Sequence, residues 1–341
     1  MSILTPISNF DDLRALMRQL PRPDEAAAVA CRAHDAELTK PPGALGRLED
    51  LATWLSAWQG RHPPRLTRVL ILVFVGWHEI ARHKVSAFPA EVTDQMVANF
   101  AAGGAAINQL ARLAGAELRV IPVGQGHPAH DFTKRPAMSE QGCVRAINVG
   151  LEAIPDGVDL LAIGEMGIAN TTAAAAIAAA LAHEPATAWA GPGTGLDAGG
   201  VSHKATVIDG ALERHRSAMT EPLEMLRHVG GRELAAMLGA ILAARLRSVP
   251  VLLDGFTSTV PAAVLQAMDP DAVAHCQVGH CSAEPGHRRL LERMGMPPLL
   301  TLGMRLGEAS GAAVAIQLVR AALACHNGMA TFTSAQVSQK S

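Results

Sequence analysis

The sequence predicts an α/β protein with a doubly wound, mainly parallel sheet. Short and almost wholly apolar runs end in glycine-bearing turns, and helical patterns of apolar residues follow several of these turns. Runs this apolar are typical of strands that are buried on both faces, as in a parallel sheet covered by helices. Because such sheets bind ligands at the carboxyl ends of their strands, we expect the functional site there.

Four apolar runs are the predicted strands. They span residues 69–75, 118–123, 158–163 and 249–253, and each leads into a glycine within a few residues. The segment 275–287 is also consistent with a strand that ends in a polar loop.

Three internal segments show helical patterns. Residues 91–114 carry apolar side chains at helical spacing, although Gly103 and Gly104 weaken the middle of that helix. An alanine-rich helix over 173–183 can be capped by Thr171 and Thr172, and another helix is expected over 232–246. Strands alternating with helices in this way favour the doubly wound architecture.

The two ends of the chain differ from its middle. Residues 1–59 are helical without a strand, and the last long helix is expected at about 311–324, before a polar and frayed tail after residue 327. We therefore expect residues 1–59 and 311–341 to form a small helical domain, and residues 60–310 to form the large catalytic domain.

Bulk composition excludes several classes of protein. The chain has 341 residues, of which 49% are hydrophobic and 18% charged, with a net charge of −2. Such a chain has a large core, little disorder and no basic track for nucleic acid. The first residues lack the pattern of a signal peptide, and the apolar runs are too short to span a bilayer. We expect a cytoplasmic protein that binds neither nucleic acid nor membrane.

Two segments contain possible metal ligands. His78 and His83 in VGWHEIARHK are five residues apart, whereas a helical zinc site needs histidines at i and i+4. The segment 275–287 holds two cysteines and three histidines, but without the spacing of a zinc knuckle. The five cysteines are odd in number and scattered, which is typical of reduced thiols. We expect no metal ion and no cofactor.

Three glycine-rich segments occur where predicted strands end or helices begin. They are GEMGIANTT at 164–172, GPGTGLDAGG at 191–200 and LGMRLGEASGAA at 302–313. Glycine allows backbone N–H groups to converge on an anion, and a helix N-terminus adds a favourable dipole. Three such segments on one scaffold predict a phosphate-binding site at one edge of the sheet.

Missing motifs narrow the identity of the phosphate ligand. The sequence has no GxxxxGK[ST], no GxGxxG after the first strand, and no adjacent acidic pair at a strand end to hold magnesium. The remaining candidate is a ligand with a single phosphate, bound by backbone amides and by Lys204 or Arg305.

Several segments, in the same order, resemble the signature of nicotinate-nucleotide–dimethylbenzimidazole phosphoribosyltransferases. The resemblance runs from about residue 40 to residue 315. The matching segments are KPPGALGRLEDLA at 40–52, VSAFPAEVTDQMVANFAAGGAAIN at 85–108, GEMGIANTT, GPGTGLD, VSHK at 201–204, VLLDGF at 251–256, SAEPGH at 282–287 and LGMRLGEASGAA.

This resemblance implies a homodimer in which each subunit has a Rossmann-like large domain and a small domain built from the chain ends. It also implies that nicotinate mononucleotide donates its phosphoribosyl group to dimethylbenzimidazole or a related base. The products would be α-ribazole 5′-phosphate and nicotinate, for assembly of the nucleotide loop of cobalamin. The active site would be completed by the partner subunit.

Two carboxylates are the expected catalytic groups. The acceptor base must lose a proton as it attacks, and by resemblance Glu308 is the general base that takes it. The helix dipole should favour the ionised form of Glu308 and burial should oppose it. Glu165 is expected in a turn after a buried strand, where it would orient the base or face the charge that develops on the ribose.

The resemblance also implies two sets of binding residues. The nucleotide would be held by Gly167, Ile168, Ala169, Asn170, Thr171, Thr172, Gly193, Thr194, Lys204, Ser282, Arg305 and Gly307. The base would be held by His78, Ser86, Phe88, Gln95 and Leu306, with Phe88 equally compatible with a place in the core.

Two departures from the family pattern leave the acceptor open. In place of the usual Asp-His-Gly turn, this chain has Trp77, His78 and Glu79. We interpret these residues as an altered edge of the base pocket. Ala169 replaces a usual glycine, a mild change if its φ is negative. The acceptor could be another benzimidazole, a purine or a phenol.

The alternative to a phosphoribosyltransferase is a catalytically weakened paralogue that only binds a nucleotide or base, as a carrier or regulator. A metallohydrolase ranks third.

Overall fold

The structure, a computed structural model, describes residues 5–338 and contains one six-stranded sheet in which every neighbouring pair of strands is parallel. The strand order is β2-β1-β3-β4-β5-β6, so the direction of winding reverses between β1 and β3. This is the doubly wound, Rossmann-like arrangement that the apolar runs predict. The strands are β1 (Val69–Val75), β2 (Glu117–Pro122), β3 (Leu160–Met166), β4 (Val251–Leu253), β5 (Cys276–His280) and β6 (Pro298–Leu300).

Fourteen α-helices lie within the described residues, together with two short 3₁₀ turns at Glu79–His83 and Ala186–Ala188. The helices are α1 (Phe10–Met17), α2 (Glu25–Glu37), α3 (Arg47–Gln59), α4 (Val92–Ala101), α5 (Ala106–Ala114), α6 (Glu140–Glu152), α7 (Asn170–Ala182), α8 (Ala198–His215), α9 (Pro222–Val229), α10 (Arg232–Leu246), α11 (Phe256–Met268), α12 (Pro285–Met294), α13 (Ser310–Gly328) and α14 (Phe332–Ala335).

Both faces of the sheet are covered, because successive side chains of a strand point to opposite faces. In β1, Leu70, Leu72 and Phe74 pack into a core with α6, α7, α10 and α11. The alternate residues Val69 and Ile71 pack into a second core with α3, α5 and α13. Every residue of β1 is therefore buried, which explains why its sequence is continuously apolar.

Close packing of α6 on α10 depends on two glycines. A Cβ atom at Gly150 would lie 1.8 Å from the carbonyl oxygen of Ala236, and one at Gly239 would lie 2.1 Å from that of Ile147. The two backbones therefore touch, and any larger residue at either position would force the helices apart.

The two ends of the chain meet in space. An antiparallel bridge joins Leu38 to Thr331, and the N–H of Thr39 donates to the carbonyl oxygen of Ala330 at 3.0 Å. Both α3 and α13 also contribute to the core beneath the sheet. A division into a small domain (1–59 with 311–341) and a large domain (60–310) stays a prediction, and residues 1–4 and 339–341 lie outside the described residues.

The predicted strands and helices have close counterparts in the structure, but there are several differences. The tail after residue 327, which was expected to be frayed, contains the end of α13 and the short helix α14. Helices α6, α8, α9, α11 and α12 had no predicted counterpart. The strand predicted at 158–163 continues to Met166, so Glu165 lies within β3 and not in a turn. The helix predicted over 91–114 is two helices, α4 and α5, separated at Gly103 and Gly104. Neither Thr171 nor Thr172 caps α7, which begins at Asn170, and the short edge strand β6 was not predicted. Of the chain that is described, no helix combines the length and apolarity needed to cross a bilayer.

Candidate active site

A cleft of about 390 Å³ opens at the carboxyl edge of the sheet. The segments that follow β3, β4 and β5 line it, together with the glycine loop at 193–194 and the segment 305–308. The three glycine-rich segments are thus brought to one site. Thirteen of the predicted residues line the cleft: Phe88, Glu165, Gly167, Ile168, Asn170, Thr171, Gly193, Thr194, Ser282, Arg305, Leu306, Gly307 and Glu308.

Four helices begin at this cleft. Asn170 is the first residue of α7 and Phe256 the first of α11. Glu284 immediately precedes α12, and Glu308 lies two residues before the start of α13. The unpaired N–H groups and dipole of a helix N-terminus attract negative charge. The cleft is therefore suited to an anionic group of a ligand.

Glu165 is buried at the end of β3, and its Oε2 accepts a hydrogen bond from Nδ2 of Asn170. Burial raises the pKa of Glu165 to about 8, although the bond from Asn170 opposes the rise; the nearby carboxylates of Asp254, Glu233 and Glu308 add to it. Its carboxyl group is consequently neutral at pH 7 and can donate a hydrogen bond to a ligand.

Glu308 stands beside Glu165, because its backbone N–H donates to the carbonyl oxygen of Glu165 at 3.0 Å. Burial raises the pKa of the Glu308 carboxyl, with the backbone N–H of Ile107 opposing the rise and the charge of Asp254 adding to it. Its Oε2 is buried and has no hydrogen-bond partner among the described residues. A buried oxygen without a partner, in a cleft, is available to a ligand's proton.

Glycines allow these two carboxyl groups to approach. Gly307 has φ +84°, and a Cβ atom there would lie 2.6 Å from Oε1 of Glu165. A Cβ atom at Gly164 would lie 1.9 Å from the backbone nitrogen of Ala309. Strand β3 and the segment before α13 can therefore be in direct backbone contact, which holds the pair of carboxyl groups in place.

Lys204 lies behind the cleft wall rather than on it. It is 1% exposed, and its Nζ donates to Oγ1 of Thr171 at 3.1 Å and to the carbonyl oxygen of Gly191 at 3.0 Å. Burial lowers the pKa of Lys204 to about 8, with Glu284 opposing the fall. Lys204 thus fixes the glycine loop against the start of α7.

Two further contacts hold the same glycine loop. Oε1 of Glu284 accepts from the N–H of Gly193 at 2.8 Å, and burial raises the pKa of Glu284 while Lys204 opposes the rise. Nη1 of Arg305 donates to the carbonyl oxygen of Gly193 at 2.7 Å. Arg305 therefore links the loop to the segment that carries Glu308.

Ser282 is held by a histidine of defined tautomer. The backbone N–H of Ser282 donates to Nδ1 of His287 at 2.9 Å, so the proton of this imidazole is on Nε2, which lies 3.0 Å from Oγ1 of Thr259. Burial lowers the pKa of His287 to about 3, which keeps the ring neutral. His287 is thus a structural support for Ser282.

Ser86 reaches the site indirectly. Its hydroxyl lies 2.9 Å from Oγ1 of Thr194, which also accepts the N–H of Ala87 at 3.1 Å. Phe88, which follows, is 52% exposed and lines the mouth of the cleft. Phe88 is therefore not a core residue.

Four other predicted residues do not line the cleft. Ala169 and Thr172 are buried behind it, and Gln95 lies on α4 away from it. His78 is also buried, and its Nε2 donates to Oε1 of Glu233 at 2.7 Å. Ala169 has φ +74°, so the condition for a mild replacement of glycine is not met, and this conformation costs about 1–2 kcal/mol in a residue with a side chain.

Trp77 and Glu79 lie in a separate depression. Nε1 of Trp77 donates to Oδ1 of Asp94 at 3.1 Å, and Oε2 of Glu79 accepts from the N–H of Asp131 at 3.0 Å. This depression is separated from the cleft by Ile168, which lines both. The structure therefore does not place the altered turn at the edge of the cleft.

Eight residues of the cleft wall were not predicted as site residues. Most lie within the segments that resemble the family signature, so their position in those segments could have identified them. His280 was included only among the possible metal ligands. They are Val92, Met96, Met166, Gly255, Phe256, Thr257, His280 and Glu284.

Neither group of possible metal ligands indicated by the sequence converges in the structure. His83 pairs with Asp131 at 2.9 Å, away from His78. Nε2 of His275 lies 3.0 Å from the carbonyl oxygen of Ile241, and His287 supports Ser282. Within residues 5–338, neither group brings three ligand atoms close enough to share one ion.

Comparison with known proteins gives a consistent result. A family model described as a phosphoribosyltransferase matches residues 20–337. The nicotinate-nucleotide–dimethylbenzimidazole phosphoribosyltransferase of Sinorhizobium medicae is 54% identical over 331 residues, covering 97% of this chain and 98% of the relative. The protein of that name from Mesorhizobium japonicum is 53% identical over 335 residues, covering 98% and 100%.

Solved structures are similar over almost the whole chain. The crystal structure of CobT from Thermus thermophilus superposes with a TM-score of 0.86 at 42% identity, covering 92% of this chain and 100% of that one. A second crystal structure from the same organism, of the nicotinate-nucleotide–dimethylbenzimidazole phosphoribosyltransferase, has a TM-score of 0.85 at 41% identity, covering 93% and 100%.

Proposed function

Because this chain belongs to the nicotinate-nucleotide–dimethylbenzimidazole phosphoribosyltransferase family, we propose that it transfers the phosphoribosyl group of nicotinate mononucleotide to dimethylbenzimidazole. The products are α-ribazole 5′-phosphate and nicotinate, and the product nucleotide serves cobalamin assembly. The observation that carries this proposal is the partner-free Oε2 of Glu308 in a cleft formed by glycine loops and helix N-termini.

Glu308 is the proposed general base. The leaving group is a pyridinium. Its ring nitrogen becomes neutral when nicotinate departs, so no acid is needed to protonate it. One nitrogen of the acceptor forms the new bond to C1′ while the other loses its proton, and the carboxylate of Glu308 takes that proton. Its raised pKa strengthens it as a base relative to an exposed carboxylate.

Glu165 is proposed to orient the acceptor and not to carry charge. Its pKa of about 8 keeps Glu165 protonated at pH 7, whereas the proposed role of Glu308 requires a carboxylate, so the two adjacent carboxyl groups would differ in state. Environments that push apart the pKa values of two neighbouring carboxyl groups give them different roles. Oε2 of Glu165 accepts from Asn170, which leaves Oε1 to donate to the ligand.

The phosphate and ribose are proposed to bind along the glycine loops, near the helix N-termini. Gly167, Asn170 and Thr171 supply groups at the start of α7, and Gly193, Thr194 and Ser282 supply the facing wall. Of the remaining predicted nucleotide residues, Arg305 and Gly307 border the same cleft, whereas Lys204 acts through the loop that it fixes. Ile168, Ala169 and Thr172 set the backbone of the turn.

The base is proposed to lie against the apolar wall of the cleft. Phe88, Met96 and Leu306 line this side and offer ring and thioether contacts. Ser86 stabilises the segment that carries Phe88, while His78 and Gln95 lie outside this wall. Glu308 lines the same cleft, so its carboxylate and the bound ring would lie in one site.

A homodimer in the cytoplasm completes the proposal. Phe88 and Leu306 are 52% and 57% exposed at the mouth of the cleft, as is Leu302 at 55% nearby in sequence. Exposed apolar side chains beside a binding site are suited to cover by a second subunit. The mouth would then be closed over the base, and water would be excluded from the reaction.

The proposal is tested by incubating the purified chain with nicotinate mononucleotide and a panel of acceptors. The panel contains dimethylbenzimidazole, an unsubstituted benzimidazole, a purine and a phenol. We expect release of nicotinate together with α-ribazole 5′-phosphate, fastest with a benzimidazole. Ligand-dependent thermal shifts without nicotinate release would instead identify a binding protein.

A further inference from the structure

A cluster of sulfur and imidazole side chains lies where the two ends of the chain meet. Cys31 is on α2, His62 is in the segment between α3 and β1, and His326 is near the end of α13. Sγ of Cys31 lies 3.4 Å from Nε2 of His326, and Nε2 of His62 lies 3.1 Å from that same nitrogen. The three candidate ligand atoms are all within 4.8 Å of one another.

Two of the three separations are close to those between ligands of a tetrahedral metal ion. Zinc–nitrogen bonds of about 2.05 Å and zinc–sulfur bonds of about 2.3 Å separate two nitrogens by about 3.3 Å and a nitrogen from a sulfur by about 3.6 Å. The observed contacts of 3.1 and 3.4 Å lie close to both values. We propose that Cys31, His62 and His326 form a zinc site, with water as the fourth ligand.

The surroundings of the cluster resemble the outer shell of a metal site. Oδ1 of Asp35 lies 4.0 Å from Nδ1 of His326, and Lys40 holds the other carboxylate oxygen of Asp35 at 2.7 Å. A carboxylate that accepts the N–H of a metal-bound imidazole fixes its tautomer and orientation. Asp35 lies near that position, although 4.0 Å is too long for the hydrogen bond itself. Oγ1 of Thr53 donates to Sγ of Cys31 at 3.8 Å, which suits a sulfur that carries negative charge.

A fourth imidazole is close but is already used. Nε2 of His34 lies 3.1 Å from the backbone carbonyl oxygen of His326, and since a carbonyl only accepts, this nitrogen carries a proton. His34 therefore holds the end of α13 in place and leaves three protein ligands. Three ligands with one open position can be completed by water.

Metal binding needs both imidazoles in the neutral form and the cysteine as a thiolate. Binding of one Zn²⁺ releases one proton to solvent, from the thiol of Cys31, and forms one Zn–S and two Zn–N bonds. His62 is half-buried and gives the ion a path from solvent.

The site is separate from the cleft. Sixteen residues of α13 separate Ser310, at the cleft end, from His326, a distance of about 24 Å at 1.5 Å per residue. His62 precedes β1, toward the amino ends of the strands. A metal there would tie α2, the segment before β1 and α13 together, without touching the groups proposed for catalysis.

The test uses the full-length chain, with any affinity tag removed, loaded with Zn²⁺ or Co²⁺. Bound metal is counted by plasma mass spectrometry after desalting, and the Co²⁺ form is examined for a thiolate-to-metal charge-transfer band. We expect one metal ion per chain and tetrahedral Co²⁺ absorption. Loss of a direct ligand in Cys31→Ser or His62→Asn should weaken metal affinity by more than about 100-fold.

Cys325→Ser is the matched control, because Cys325 is the neighbour of His326 on α13 but is outside the cluster. It should keep both the stoichiometry and the charge-transfer band. The His62→Asn variant shows whether a loss of metal binding is due to misfolding. The side chain of His62 is half-buried and can be replaced with little loss of packing. Without metal, the melting temperature of this variant should therefore equal that of the metal-free parent chain. A parent chain that binds no Zn²⁺ or Co²⁺, or variants that bind as tightly as the parent, would overturn the proposal.

Discussion

Ile168 lines both the cleft and the neighbouring depression that contains Trp77 and Glu79. The two regions differ in how their polar side chains are hydrogen-bonded. In the cleft, Glu165 and Glu308 are buried with raised pKa values, and one oxygen of Glu308 has no partner among the described residues. In the neighbouring depression, Trp77 and Glu79 are bonded to nearby groups. Glu308 in the cleft is therefore arranged for a ligand, whereas Trp77 and Glu79 in the depression are bonded within the fold.

The difference also revises the interpretation of the altered turn. From sequence alone, the Trp and Glu at 77 and 79 indicate a changed base pocket. In the structure, Trp77 donates to Asp94 and Oε2 of Glu79 accepts from the N–H of Asp131, and both partners are neighbours in the fold and not ligands. An unusual residue next to a motif is thus weaker evidence for changed specificity than a buried atom without a partner.

The largest expected effect is that of Glu308→Gln. If Glu308 is the general base, kcat should fall about 10²–10⁴-fold, with little change in KM for either substrate. Steady-state release of nicotinate measures both. Glu79→Gln, the matched change in the other depression, should keep kcat near that of the parent. Near-normal turnover by Glu308→Gln would remove the distinction between the two depressions.

A smaller effect is expected for Lys204→Met, which keeps the length of the side chain but removes its bonds to Thr171 and Gly191. A hydrogen bond from a charged group contributes about 1.5–3 kcal/mol, so KM for nicotinate mononucleotide should rise at least about tenfold. Lys134→Met, in which an exposed lysine is removed, is the control. An unchanged KM would mean that the loop keeps its position without Lys204.

Glu165 gives the stability of the protein a dependence on pH. Its pKa is raised from 4.5 to about 8, so its contribution to stability is fully present below about pH 4.5 and is lost as the pH rises through about 8. The melting temperature of the parent should therefore fall between about pH 5 and pH 8, and Glu165→Gln should reduce this fall. Parallel curves for parent and variant would show that Glu165 is not protonated in the folded state.

The smallest effect is expected from restoring the family turn with Trp77→Asp and Glu79→Gly. Because the turn lies outside the cleft, the ratio of kcat/KM between two acceptor bases should change by no more than about twofold, or about 0.5 kcal/mol. The ratio is insensitive to the amount of folded enzyme. A larger change in preference would place the turn in the base site after all.

The sequence predicts much of the fold because each strand or helix produces a pattern of apolar residues within one continuous segment. The apolar run at β1 predicts that strand without error, and the helical pattern of α10 gives its bounds, Arg232–Leu246, directly. The short edge strand β6 was missed, since three half-buried residues carry no periodic signal.

The site was predicted in part, through motifs. Glu308 and the glycine loops share the cleft because parallel strands end at the same edge of a sheet. Sequence did not reveal that Lys204 is 1% exposed, or that Ala169 has a positive φ. Both depend on what surrounds the residue, and the surroundings come from distant parts of the chain.

The sequence by itself determined the alternation of strands and helices, the family and the residues that carry its motifs. Only the tertiary structure decided which carboxyl group is neutral, which side chains line the cleft, and that Cys31 and His326, 295 residues apart, are in contact. The physical reason is that periodicity is a property of neighbours in the chain. Burial, pKa and ligand geometry are set by packing between segments that the sequence leaves far apart.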